Sequence, residues 1–71
     1  MIMICVFPII KSAIDSGLIS VGTIAETLEE SELYVVSRLS GKANFDINEA
    51  MKINVEFFPE TPFKDLFTKS S

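Results

Sequence analysis

Apolar residues recur along most of this chain at helical spacing, and short polar or glycine-containing breaks divide them into runs. The clearest pair of runs lies in Thr23–Lys42, TIAETLEESELYVVSRLSGK. Ile24 and Ala25 open it, and Leu28 follows Ile24 by one helical turn. After the break Glu29-Glu30-Ser31, Val35 and Leu39 repeat the four-residue step. Apolar positions at i, i+4 on both sides of a three-residue break predict two short helices joined by a tight turn. Ala25 supplies the small side chain that a close helix crossing needs. Ser20 caps the earlier helix, which runs from Val21 to Leu28 or Glu30, and Gly22 weakens its first turn by ~1 kcal/mol relative to alanine. Ser31 caps the later helix, Glu32–Ser40, and Gly41 takes the left-handed conformation that ends it. The pattern is that of a helix–turn–helix unit.

The flanking runs add three more helices. Pro8 suits a first helical position, where its missing N–H costs nothing, and Ile9-Ile10, Ala13-Ile14 and Leu18 have helical spacing. The first helix is therefore expected over about Pro8–Ser16, with Gly17 as terminator. Before it, Met1–Phe7 is an uninterrupted apolar arm that packs on the domain's own core or forms a dimer interface. Beyond the loop Gly41–Phe45, Asp46 and Glu49 form a capping box, and a fourth helix runs to about Phe57 with Ile47, Ala50, Ile53 and Phe57 on one buried face. Pro59 ends it. Thr61-Pro62 starts a short fifth helix carrying Phe63, Leu66 and Phe67, and residues 68–71 are a flexible tail. The expected fold is all-α: one domain of five short helices.

Composition sharpens this in three ways. With 71 residues, 48% of them hydrophobic, the chain makes one small domain with a modest core. A single cysteine and no histidine exclude an internal disulfide and a zinc site, so no metal or cofactor is expected and a reducing, cytoplasmic location is the default. The apolar opening lacks a basic leader and falls short of the ~20 residues that span a bilayer, so no membrane is expected. Catalysis finds no support either: no Ser-His or Cys-His pair can form, and Gly17, Gly22 and Gly41 are isolated rather than gathered in a phosphate loop. The net charge of −4 lowers the expected general affinity for nucleic acid, which comes mainly from Lys and Arg.

The segment IAETLEESELYVVSRLSGKANFDINEAMKI resembles, without a gap, the Cro/repressor-like (XRE-type) helix-turn-helix domains of phage and prophage regulators. The resemblance rests on Ile24-Ala25, Leu28, Ser31, Val35, Ser37-Arg38-Leu39-Ser40-Gly41-Lys42, Phe45, Glu49-Ala50, Lys52-Ile53 and Leu66-Phe67. It implies a small lambda-repressor-like fold and a sequence-specific DNA-binding transcriptional regulator, working as a homodimer, whose third helix enters the major groove of double-stranded DNA. The base-reading positions it implies are Glu32, Leu33 and Ser37. Glutamate can accept from cytosine N4, leucine can touch a thymine methyl, and serine can pair with several bases. The phosphate contacts it implies are Ser31, Tyr34, Arg38 and Lys42, with Lys52 nearby.

Each of these residues also has a plainer reading. Arg38 and Lys42 suit the negative end of a helix dipole, Leu33 can pack on the second helix, Ser31 can be a cap alone, and Tyr34 can shield an edge. Three features depart from the family pattern. Val21 stands where a polar phosphate-binding residue usually opens the second helix. Glu29 stands where glycine usually starts the turn, which predicts a slightly longer second helix. Glu26, Glu29, Glu30 and Glu32 cluster where a duplex backbone would lie. These acidic residues support an alternative role on the same fold: a protein-interaction module, such as an antirepressor or inhibitor, with weak or no DNA binding.

Overall fold

A computed structural model describes residues 4–69. It contains five helices and, among the described residues, no strand: α1 (Pro8–Asp15), α2 (Val21–Leu28), α3 (Glu32–Leu39), α4 (Ile47–Phe57) and α5 (Phe63–Leu66). The all-α expectation holds, and the helix boundaries agree with the periodicity to within two residues. Met1–Met3 of the apolar arm and Ser70-Ser71 of the tail lie outside the described residues. The Cα radius of gyration is 10.9 Å, close to the ~11 Å expected of a folded chain this long.

The helix starts follow local chemistry. Ser20 Oγ accepts from the Thr23 N–H at 3.1 Å, and Ser31 Oγ accepts from the Tyr34 N–H at 3.1 Å. Asp46 Oδ1 accepts from the Glu49 N–H at 2.8 Å while Glu49 Oε1 accepts from the Asp46 N–H at 3.1 Å, which completes the capping box. Pro8 occupies the first turn of α1. At α5 Pro62, rather than Thr61, is the cap residue, and no side chain caps the helix. One turn needs little capping when Leu66 is fully buried beneath it.

Three helices end in the same way. After α1, the Gly17 N–H donates to Ile14 O and the Leu18 N–H to Ala13 O. After α2, Glu29 donates to Glu26 O and Glu30 to Ala25 O. After α3, Gly41 donates to Arg38 O and Lys42 to Ser37 O. This paired closure requires a left-handed residue, and the φ values are 84° at Gly17, 58° at Glu29 and 88° at Gly41. The expectation that Glu29 would lengthen the second helix is therefore corrected. α2 stops at Leu28, and Glu29 adopts the conformation that glycine usually fills, because α3 must start immediately to pack against α2.

The core is built from every element. Ile10, Ile24, Val35, Leu39, Ile53 and Leu66 are fully buried, joined by Ala25 and Leu28 of α2. The described part of the arm belongs to this core too. Cys5 and Phe7 are buried, and the Val6 N–H donates to Leu39 O at 2.8 Å, satisfying one of the free carbonyls at the end of α3. Of the two expectations for the arm, packing on its own domain describes Cys5–Phe7. Phe7 stacks edge-on against Phe67 with ring centroids 5.4 Å apart, and Phe45 lies 6.1 Å from each of them. One apolar expectation fails: Ile47 is 61% exposed rather than on the buried face of α4 with Ala50 and Ile53.

Candidate nucleic-acid interface

The outward side of α3 is set by what its inward side must bury. Val35 and Leu39 point into the core, so positions roughly half a turn away face out. α3 packs against α2, and α2 in turn packs against α4, so the outward side is carried on a braced helix. Glu32 and Leu33 lie at its N-terminal end, and Leu33 is 83% exposed, which excludes the reading in which it packs on α2.

Ser37 lies one turn along from Leu33, yet its hydroxyl is already engaged. It donates to Tyr34 O at 2.7 Å and accepts from Arg38 Nη1 at 3.0 Å. Its proton is committed to the helix's own backbone, so a base edge meets it only as an acceptor unless the hydroxyl rotates. Of the three residues expected to read bases, Leu33 stands free, Glu32 leans over the start of α2 and Ser37 is held by its own helix.

The residues expected to meet phosphate are divided as well. Ser31 is a cap, with its hydroxyl proton available to a further acceptor. Lys42 is exposed just past Gly41. Tyr34 and Arg38 form a separate unit on the flank toward α4. The Arg38 guanidinium carbon lies 3.6 Å from the centre of the Tyr34 ring, a cation–π stack. The Tyr34 hydroxyl donates to Glu49 Oε2 at 2.5 Å, which favours the protonated phenol and raises its pKa above the usual value. Arg38 Nε is buried without a partner. Stacking holds this guanidinium against the protein surface.

Glu49 ties two helices together. One of its carboxylate oxygens closes the capping box and the other anchors Tyr34, joining α3 to α4 across fifteen positions. Its signal in the sequence is the capping box alone.

The acidic cluster stands at one end of this surface. Glu26, Glu29, Glu30 and Glu32 are all exposed. Glu32 reaches back over the start of α2, where its Oε2 lies 3.4 Å from the position a β-carbon on Gly22 would take. A carboxylate there sits beside the free amides of a helix N-terminus and is favoured by the dipole. Of the two expected cation effects, only Arg38 falls within the last turn of its helix.

Elsewhere the chemistry is sparse. The Cys5 thiol is buried, and desolvation pushes its pKa up, so it is a poor nucleophile. Among the described residues no three His, Cys, Asp or Glu side chains converge on a metal-sized point, and no helix is long and apolar enough to cross a membrane. Compared with known proteins, the chain matches no family model, no curated protein and no solved structure.

Proposed function

We propose that this chain is a small cytoplasmic DNA-binding regulator of the phage or prophage repressor type, which lays α3 in the major groove and acts as two copies on a two-fold site. The observation that carries this reading is the tight α2–turn–α3 unit with Glu32 and Leu33 uncovered at the N-terminal end of α3. In a helix-turn-helix protein that end of the second helix meets base edges. Leu33 supplies an apolar contact for a thymine methyl, Glu32 an acceptor for cytosine N4, and Ser37 a further acceptor. The Ser31 hydroxyl and Lys42 supply phosphate contacts at the two ends of α3, and Arg38 joins them by swinging off the Tyr34 ring.

The test is a fluorescence-anisotropy titration of the full chain against duplexes from the DNA flanking its own gene, repeated over a salt series. Affinity for one duplex that exceeds the rest and falls linearly with log salt is the expected result. Equal, salt-insensitive or undetectable binding to every duplex at low salt overturns the reading.

A second reading has its own observation. Leu33 is an exposed apolar tip within reach of the carboxylates at the α2–α3 turn, Glu29, Glu30 and Glu32. An apolar centre in an acidic surround complements a protein surface with the reverse pattern, a small apolar recess ringed by Lys and Arg. An antirepressor or inhibitor would use the same helix in this way.

A further inference from the structure

Two shallow grooves share a wall on α4 and α5. The larger, of about 340 Å³, is lined by Phe7, Phe45, Phe63 and Phe67, with the exposed side chains of Asn44 and Lys69 beside them. The smaller, of about 260 Å³, is lined by Met51, Asn54 and Val55, and Ile47 and Phe63 belong to both. The two therefore run together along α4, from Asn44 ahead of its first turn to Val55 in its last. Hydrogen-bond donors are confined to one end. Lys69 Nζ donates to Asn44 Oδ1 at 3.2 Å, which orients the Asn44 amide with its oxygen toward the lysine. Asn44 Nδ2 forms no hydrogen bond among the described residues, and the ammonium keeps further N–H donors. At the other end Asn54 spends its amide N–H groups on Phe58 O and Thr61 O, each at 2.9 Å. No carboxylate lines either groove.

We infer that the joined grooves bind a linear aliphatic carboxylate of medium length, its headgroup on Lys69 and Asn44 and its chain along α4. The donors select the head. Lys69 and Asn44 offer N–H groups and one positive charge, so their complement is a negatively charged acceptor, and a carboxylate can accept from both. The chain's net charge of −4 acts against anions at long range, but with no carboxylate in the lining and screening beyond ~10 Å the Lys69 ammonium dominates locally. The remaining wall selects the body. Phenylalanine rings, Ile47, Met51 and Val55 cannot pair with polar groups, so an extended peptide would leave unpaired whatever backbone groups it turned toward them. An alkyl chain has no such groups and gains by leaving water. Length follows from α4. Ile47 and Val55 are separated along the helix axis by about 12 Å at 1.5 Å per residue. An extended alkyl chain with C–C bonds of about 1.52 Å advances roughly 1.3 Å per bond, so about ten carbons cover that distance.

The inference does not depend on DNA binding, and its test uses the full chain without DNA. Decanoate and decanol, each kept below its aggregating concentration, are titrated into the isotope-labelled protein and followed by amide chemical shifts. Decanoate is expected to bind saturably, with shifts concentrated in residues 44–55 and 63–69. Its affinity is expected to exceed that of decanol by about tenfold or more, the worth of a charge-assisted hydrogen bond. Lys69→Gln is expected to bring decanoate down to the affinity of decanol. Ile47→Glu, at a position 61% exposed and so outside the core, is expected to abolish decanoate binding by setting a carboxylate on the shared wall. Leu18→Glu, on a separate groove beside Pro8 and Phe58, is expected to leave it unchanged. Shifts that never saturate or that centre on Leu18 overturn the inference, as does decanol binding as tightly as decanoate, or Lys69→Gln binding decanoate like wild type. A helical peptide with an apolar stripe and a free C-terminal carboxylate serves as competitor. If it occupies the same residues more tightly than decanoate, the grooves belong to a protein partner and the inference fails.

Discussion

Glu29 and Tyr34 carry the least expected local chemistry. At φ 58° Glu29 is the only described residue other than glycine in the left-handed region. A side chain there costs ~1–2 kcal/mol in local sterics, while glycine in its place restores ~1 kcal/mol of unfolded-chain entropy that folding must then remove. Glu29→Gly should therefore raise stability by up to ~1 kcal/mol, seen as a melting temperature up to a few degrees higher in thermal denaturation. No change would mean that the glutamate side chain makes a compensating contact. Tyr34 has a pH signature. Its phenol is held protonated by the hydrogen bond to Glu49, so the folded state binds that proton more tightly than the unfolded state does. The stabilisation is complete below the usual phenol value of about 10 and is lost as pH rises through the higher folded value. Buried Cys5 acts with the same sign and begins at lower pH, because an ordinary thiol titrates near 8.5. Lys11, whose pKa is raised by its hydrogen bond to Asp15, has the same sign and adds to the later loss. Melting temperatures across the alkaline range should thus decline in two stages, and Tyr34→Phe should shrink the later stage and leave the earlier one.

Helix packing depends on two kinds of residue, small ones at crossings and left-handed ones at ends. Ala25 is buried where α2 meets its neighbours, and α2 touches both α3 and α4. Ala25→Leu should overpack that junction and destabilise the domain by ~1–3 kcal/mol, measured by chemical denaturation. An unchanged midpoint would mean that the junction has room for three more carbons. Gly41 shows both demands at one position. Its φ is 88°, and a β-carbon there would lie 3.4 Å from Val6 Cγ1, because the arm crosses the end of α3 at this point. The same crossing explains why the arm belongs to the fold. Val6 closes a carbonyl that α3 leaves open, while Cys5 and Phe7 fill space that five helices this short leave empty.

For the molecule as a whole, the central tension is between an acidic chain and the duplex-binding role proposed for α3. Counterion release needs cations, and of the six Lys and Arg residues only Arg38 and Lys42 lie on α3 or immediately beyond it. The charges nearest the α2–α3 turn are carboxylates. Two substitutions separate the readings of this surface. If α3 binds DNA, Lys42→Ala should weaken every duplex alike and reduce the salt slope by about one unit, and Glu30→Gln should strengthen all binding by removing a repulsion. Ser37→Ala or Glu32→Ala should instead change the preference among sequences, read by competition with variant duplexes. If α3 binds a basic protein, Glu30→Gln should weaken that complex. Opposite signs for one neutral substitution make this the most economical discriminator.

The sequence alone determined the local features of this protein. Helix starts at Ser20, Ser31 and Asp46, ends at Gly17 and Gly41, and the inward positions Ile24, Leu28, Val35, Leu39 and Ile53 all follow from short-range hydrogen bonding and a 3.6-residue period. The exposure of Ile47 was not legible, because α4 has apolar residues on two adjoining stripes and periodicity cannot tell which one meets the core. Nor was the length of α2, since the tendency of Glu29 to continue a helix is overridden by the contact of α2 with α3. The candidate site divides along the same line. That Glu32 and Leu33 open the outward side of α3 is a matter of helical phase. That Ser37 is held by its own backbone, and that Arg38 lies on Tyr34 while Tyr34 is tied to Glu49, depends on pairs brought together only when α3 and α4 have settled against α2. Spacing along a chain specifies which groups share a face; which of them remain free to meet a partner is decided by what the other helices bring alongside.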